Sequence, residues 1–252
     1  MAYKVFLDPG HGGRDPGAVG QYSTREKDVN LAVGLLLRDI LVQHGLEVML
    51  SRESDILPYY PDDLRVDTLM RGEKATDFGA TVMLSIHCNG ANSSTANGAE
   101  VWRRKTLLSA NNSNGEATLA TRLLEGFLAK TKFVNRGIKQ EDFMQFTRAR
   151  MYSCLVEMGF ISNAAEETLL ATPAFQRELA QGLAEGILTF LGVPILPEPA
   201  QDDVLIVVDG KVISTYARIV DGRTLVPIRF AEQLGYSVHW DAETRTVYLA
   251  KL

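Results

Sequence analysis

Four residues of this chain have the types and settings for hydrolytic chemistry: His11, Glu26, His87 and Glu157. His11 lies in Asp8-Pro9-Gly10-His11-Gly12-Gly13-Arg14-Asp15-Pro16-Gly17, directly after the strand-like Val5-Phe6-Leu7. A Gly-rich loop thus presents an imidazole at a strand's carboxyl end, where open α/β sheets place ligands. The loop has no Gly-Lys-Ser/Thr, and Asp15 replaces the third glycine of a dinucleotide fingerprint, so phosphate binding is the poorer reading.

His87 ends the run Thr81-Val82-Met83-Leu84-Ser85-Ile86. A histidine there is ordinarily a hydrogen-bonded core residue, and His87 takes a chemical reading only from its company. Glu157 ends Ser153-Cys154-Leu155-Val156, where a carboxylate is costly unless it is paired, metal-linked or used to move protons. Glu26 opens the first long helical pattern and, taken alone, simply complements the helix dipole.

Together, two imidazoles and one carboxylate make a His₂Glu shell, which suits zinc and leaves one coordination position for water. Zinc brings the pKa of such a water toward neutrality. A further carboxylate is then needed to take the water's proton and return it to a departing amine. The reading is therefore one zinc ion per catalytic domain held by His11, Glu26 and His87, with Glu157 as general base and no other cofactor.

The remaining histidines and the cysteines read differently. His44, just before Gly45, is a helix C-terminal residue, and His239 falls in a second domain. Alternation sends Cys88 to the opposite side of its strand from His87, and Cys154 to the opposite face from Glu157. Both thiols therefore read as core packing rather than nucleophiles.

A sheet is needed to position these groups. Short apolar runs at Lys4–Leu7, Glu47–Leu50, Thr81–Ile86, Ala99–Trp102 and Ser153–Val156, bounded by Gly, Pro, Asn or Ser, predict buried strands. Apolar spacing predicts a helix over Lys27–Gln43, a second opened by Pro61-Asp62-Asp63 and running to about Phe78, and a third over roughly Glu116–Lys130. A fourth is capped by Thr172, has Pro173 in its first turn and ends at Gly192. The alternation predicts an α/β domain with a mostly parallel twisted sheet flanked by helices.

Three prolines between Gly192 and Ala200 make that stretch an extended spacer. The expected division is a catalytic domain at 1–191, a linker at 192–202 and a small α+β domain at 203–252. In the latter, Val204–Val208, Lys211–Ile213, Thr224–Val226, Ser237–Trp240 and Thr246–Leu249 read as strands. Asp209-Gly210 and Asp221-Gly222 read as turns, and Ile228 to Leu234 as one helix.

Composition narrows the partners. With 46% hydrophobic residues the chain can bury a full core. A formal charge of −5, with signs interspersed, argues against nucleic acid and fits a polar, uncharged or cationic polymer. No stretch has transmembrane length, so no membrane insertion is expected. Met1-Ala2-Tyr3-Lys4 runs straight into a strand without room for a signal peptide. The expectation is synthesis in the cytoplasm and action after release, or secretion if the sequence is a mature fragment.

The motifs Leu7-Asp8-Pro9-Gly10-His11-Gly12-Gly13, Glu26-Lys27-Asp28-Val29-Asn30-Leu31, Ser85-Ile86-His87-Cys88-Asn89 and Leu155-Val156-Glu157-Met158-Gly159-Phe160-Ile161-Ser162-Asn163 together resemble one family. It is the zinc-dependent N-acetylmuramoyl-L-alanine amidases of bacterial autolysins and phage endolysins, and the resemblance spans residues 3–191. It implies that His11, Glu26 and His87 bind zinc and that Glu157 is catalytic. It further implies that the substrate is peptidoglycan, cut between the lactyl group of N-acetylmuramic acid and L-alanine.

Departures are Cys88 where the family has Ala, Thr76 where Asn is common and Tyr152 where Pro is common. None removes a ligand, and Tyr152 is expected to alter the nearby groove. Arg71 matches a family position but reads equally as a solvated helix-surface charge near Asp67 and Glu73, so its role stays open.

Residues 203–252 resemble the copper amine oxidase N-terminal-like module of bacterial cell-surface proteins. A single histidine, His239, builds no copper site without other ligands, so the module reads as wall-targeting or oligomerising, with mere extension of the fold as the alternative. For the whole chain two other functions compete: a zinc carboxypeptidase or deacetylase acting on cell wall, and a non-catalytic wall-binding module. The intact four-residue set argues against the last.

Overall fold

The computed structural model describes residues 3–60, 62–106, 110–196, 203–208, 211–220, 223–225, 235–241 and 246–251. The chain divides into two compact units, Met1–Ile195 and Leu196–Leu252.

The first unit contains β1 (Lys4–Pro9), α1 (Glu26–Gln43), β2 (Glu47–Leu50), α2 (Leu64–Phe78), β3 (Val82–Asn89), β4 (Ala99–Arg103) and α3 (Ala110–Lys130). It continues with β5 (Asn135–Gln140), β6 (Tyr152–Phe160), α4 (Ala164–Leu170) and α5 (Pro173–Leu191). One sheet runs in the order β2-β1-β3-β6-β4-β5, with every neighbouring pair parallel except β4 and β6. This is an α/β domain with a mostly parallel sheet.

Both faces are covered, which is why its central strands read as mostly apolar runs. Val5 and Leu7, Val82, Leu84 and Ile86, and Cys154 and Val156 pack with the apolar faces of α1, α3 and α5. Phe6 and Met83 point the other way, into a smaller cluster with Ala75 of α2 and with Ala149 and Met151. Strand alternation carries that second face onward to Asp8, Ser85, His87, Leu155 and Glu157. Toward the strands' carboxyl ends the α2 face therefore changes from apolar to polar.

Several boundaries differ from expectation. β3 and β6 run on to Asn89 and Phe160, so His87 and Glu157 lie within strands rather than at their ends. α1 begins on Glu26 itself, and α3 begins at Ala110, six residues earlier than the apolar pattern marks. α2 begins at Leu64, because Asp63 caps it by accepting from the amides of Arg65 (2.8 Å) and Val66 (3.3 Å); Pro61 lies outside the described residues. β5 and α4 had no expectation: Asn135–Gln140 is a largely exposed edge strand, and α4 is only 7 residues long.

In the second unit, β7 (Asp203–Val208), β8 (Lys211–Val220) and β9 (Arg223–Leu225) form an antiparallel sheet, and β10 (Tyr236–Asp241) pairs antiparallel with β11 (Thr246–Lys251). β8 is longer than the expected Lys211–Ile213. The expected turns at Asp209-Gly210 and Asp221-Gly222, the helix over Ile228–Leu234 and linker residues 197–202 lie outside the described residues.

Candidate active site

His11 sits just past β1 with φ 64, left-handed backbone that a non-glycine residue adopts only at a cost. Two buried guanidinium groups hold the loop there. Arg52 donates from Nε to Pro9 O (3.0 Å) and from Nη2 to Gly10 O (2.9 Å), while Arg71 donates to Pro9 O and, from Nη2, to His11 O, both at 3.1 Å. Three successive carbonyls are thus fixed by cations.

The reading of Arg71 as a solvated charge is overturned. Arg71 is buried, with Nη1 2.8 Å from Asp8 Oδ1 and Nε 2.9 Å from Asp67 Oδ2. Its i,i+4 relation to Asp67 imitates a surface pair, and only the fold brings Asp8 to its other side.

Close approach dictates one glycine of the loop. A Cβ on Gly10 would lie 2.2 Å from the His87 ring, so no larger residue lets the chain pass that imidazole.

Glu26 is the first residue of α1, and Arg25 before it supplies no side-chain cap. The loop supplies it instead: Glu26 N donates to Ala18 O (2.9 Å) and Lys27 N to Pro16 O (3.1 Å). In return Glu26 Oε2 accepts from Ala18 N at 2.8 Å, and Oε1 from Cys88 N at 3.1 Å. Glu167 of α4 tightens the same loop by accepting from the amides of Tyr22 and Thr24.

Three donor atoms converge. Glu26 Oε1 lies 3.1 Å from His11 Nε2 and 2.9 Å from His87 Nδ1, the two rings meeting edge to face at 5.0 Å. The ligand atoms of His11, Glu26 and His87 all lie within 4.8 Å of one another, so these residues form a metal-binding triad. The other His11 nitrogen, Nδ1, is 2.8 Å from Asp15 Oδ2, a carboxylate placed as orienting partners of ligand histidines usually are. Burial pushes the Glu26 carboxyl up, but hydrogen bonds from His11 and His87 pull it further down, well below the ordinary carboxylate range. For His11 burial works downward and Glu26, then Asp15, upward, with a net rise.

Glu157 is the register partner of His87 on the adjacent parallel strand, so both side chains stand on one face. Its Oε2 is buried and has no hydrogen-bond partner among the described residues. Burial, then the negative charges of Glu26 and Glu100, push its pKa well above the usual value, with Lys139 opposing. These groups open on a cavity of about 350 Å³ that also takes in Leu57, Leu64, Asn89, Phe143 and Gln145.

Sequence reasoning passed over Asp15, Asp8, Arg52 and Glu100. Asp15 alone had a local signal, its four-residue offset from His11. Cys88 and Cys154 lie in the core on the opposite side of the sheet. His44 closes α1, with Nδ1 2.7 Å from Ile40 O, and His239 lies on β10 of the other unit. Thr76 ties α2 to the loop before β6, its hydroxyl donating to Arg148 O at 2.8 Å. The expectation for Tyr152 is corrected: it pairs with Val82 at the far end of β6, about 16 Å along the strand from Glu157, and its ring meets Phe190 of α5.

A family model described as N-acetylmuramoyl-L-alanine amidase matches residues 5–189, and one described as copper amine oxidase N-terminal domain matches residues 201–251. The N-acetylmuramoyl-L-alanine amidase AmiA of Escherichia coli is 30% identical over 226 residues, covering 74% of this chain and 75% of that protein. LytC of Bacillus subtilis, an amidase of the same description, is 32% identical over 186 residues, which cover 74% of this chain and 35% of LytC. Among solved structures, the catalytic domain of the amidase CwlV from Bacillus (Paenibacillus) polymyxa superposes with a TM-score of 0.67 at 34% identity, over 76% of this chain and 99% of that one.

Proposed function

The chain belongs to the N-acetylmuramoyl-L-alanine amidase family, and on that premise we propose that His11, Glu26 and His87 hold a zinc ion and that Glu157 moves the proton in hydrolysis of peptidoglycan. The observation that carries this reading is the convergence of His11 Nε2 and His87 Nδ1 on Glu26 Oε1, with Glu157 opposite His87. Two imidazole nitrogens and a carboxylate oxygen fit the donor preference of a catalytic zinc site. When bound, zinc supplies Lewis acidity to the scissile carbonyl oxygen and to water and, as the largest local charge, draws Glu157 back toward its ionised form.

The chain's own groups do the rest. Asp15 holds His11 Nδ1 and so turns Nε2 inward. Ala18 N and Cys88 N fix the two Glu26 oxygens. Glu157 takes one proton from the attacking water and delivers it to the L-alanine nitrogen as the amide bond breaks, leaving a lactyl carboxylate and a free amine. Its unpartnered Oε2 is free to do so.

The second unit is proposed to be a small α+β module that targets the wall polymer or self-associates, a reading supported by its match to a separate module family. No described helix is long and apolar enough to cross a membrane. Release from the cytoplasm or secretion is the proposed route to the wall.

Mass spectrometry of digested walls tests the bond assignment. New L-alanine amines matched by lactyl carboxylates support it; a shortened stem peptide or a deacetylated sugar would instead indicate a carboxypeptidase or a deacetylase.

A further inference from the structure

A continuous row of side chains crosses the sheet beside the site. His87 of β3 opposes Glu157 of β6, and Glu157 opposes Glu100 of β4. Two residues along on the same face, Leu155, Trp102 and Lys139 of β5 are opposed in turn. Directly opposed residues share a face, so the catalytic face continues past Glu157 onto β4 and β5.

Glu100 is buried and organises this extension. Its Oε1 accepts from Asn89 Nδ2 and Trp102 Nε1, both at 3.0 Å. Its Oε2 accepts from Arg136 Nε at 2.7 Å and Lys139 Nζ at 2.5 Å. One carboxylate oxygen thus holds two cations. Both cations sit on an edge strand, where the Arg136 and Lys139 side chains remain 35% and 34% exposed.

Aromatic faces steady both cations. Lys139 Nζ lies 5.0 Å from the Trp102 ring centre, and the Arg136 guanidinium 4.8 Å from that of Phe160. An ammonium has three donors and a guanidinium five, so the bonds to Glu100 leave both cations capacity for an outside acceptor.

The direction of the reaction says what that acceptor is. With Glu157 as the group that protonates the leaving nitrogen, a peptide leaving on that side of the metal centre would run along the face that carries Trp102, Lys139 and Arg136. The peptide carries carboxylates, whereas the glycan it leaves presents hydroxyl and acetamido groups. β5 stands about 10 Å from β6, two extended residues span about 7 Å, and the two cationic side chains, which lean back to Glu100, cover the difference.

We infer that Lys139 and Arg136, carried by Glu100, form a subsite for the carboxylate of the residue that follows L-alanine in the released peptide. This inference rests on the amidase reading above.

The test uses the full zinc-loaded chain and two soluble muramoyl peptides, identical except that the second residue's α-carboxylate is free in one and amidated in the other. The unsubstituted chain is expected to favour the free acid by about tenfold in kcat/KM, chiefly through KM, the scale of one charge-assisted hydrogen bond. Lys139→Met and Arg136→Met each bring that ratio toward one, and Lys139→Arg retains it; a merely structural role would lower both substrates alike and leave the ratio intact. A ratio of one in the unsubstituted chain, or an undiminished ratio in both Met variants, overturns the subsite and leaves the amidase reading standing. Cleavage of neither substrate by the unsubstituted chain overturns the amidase reading and this inference with it.

Discussion

Arg71 Nη2 donates to the main-chain oxygen of His11 at 3.1 Å, so a buried guanidinium fixes the backbone of the residue that aims one imidazole at the metal centre. His11 holds φ 64 there, and such strain, of order 1–3 kcal/mol, persists only where the surroundings over-determine it. Arg71, counter-charged by Asp8 and Asp67, is one part of those surroundings, and Arg52 is the other.

Removing that cation leaves two buried carboxylates uncompensated. Arg71→Met is expected to cost about 3–5 kcal/mol of stability. Arg71→Lys should cost less but still weaken zinc binding, because an ammonium cannot reproduce the fork that reaches Asp8, Asp67 and His11 together. Urea unfolding and competitive zinc titration of the two variants check both statements.

Asp8 gives stability a signed pH dependence. Burial raises its pKa, yet Arg71 and the Ser51 hydroxyl, followed by His87 and Ser85, lower it more, so the folded value lies below the ordinary 3.8. A depressed carboxylate contributes stability that is fully present above its unfolded pKa and is lost as pH falls through the folded one. Asp8→Asn should therefore be clearly less stable than the parent at pH 6, with the gap closing below about pH 4. Urea midpoints measured for both proteins across that range check the sign.

The parts of this molecule legible in sequence were those with local patterns. Val82 to Ile86 and Ser153 to Val156 are buried on both faces and read as apolar runs broken only by Ser85 and Ser153, and α5 announced itself by Pro173 and Gly192. His11, Glu26, His87 and Glu157 were found because catalytic residue types followed such runs or opened a helix. β5 stayed hidden because an exposed edge strand such as Asn-Arg-Gly-Ile-Lys-Gln carries no alternating apolar signal. Arg71, Asp8 and Glu100 stayed hidden because their meaning lies in partners 63 and 39 residues away, Asp8 for Arg71 and Lys139 for Glu100, which only the sheet order brings together.

Asp15 should act on the metal rather than on the fold. Its side chain is partly exposed and its bond to His11 Nδ1 is local, so Asp15→Asn is expected to leave thermal unfolding nearly unchanged. Loss of an orienting carboxylate typically costs about 10–100-fold in metal affinity. Zinc competition with a chromophoric chelator reads this directly, and an affinity within twofold of the parent's would show that Asp15 does not orient the ligand.

The role of Glu157 beside the metal triad is tested most directly by Glu157→Gln, which keeps the shape of the side chain and removes its ability to take a proton. Lysis of purified walls and zinc content are measured on the same preparation. One zinc per chain is expected, as in the parent, with lysis reduced by about 10²–10⁴-fold, the usual contribution of a positioned acid–base group. Near-normal lysis by a zinc-replete Glu157→Gln chain would contradict that role.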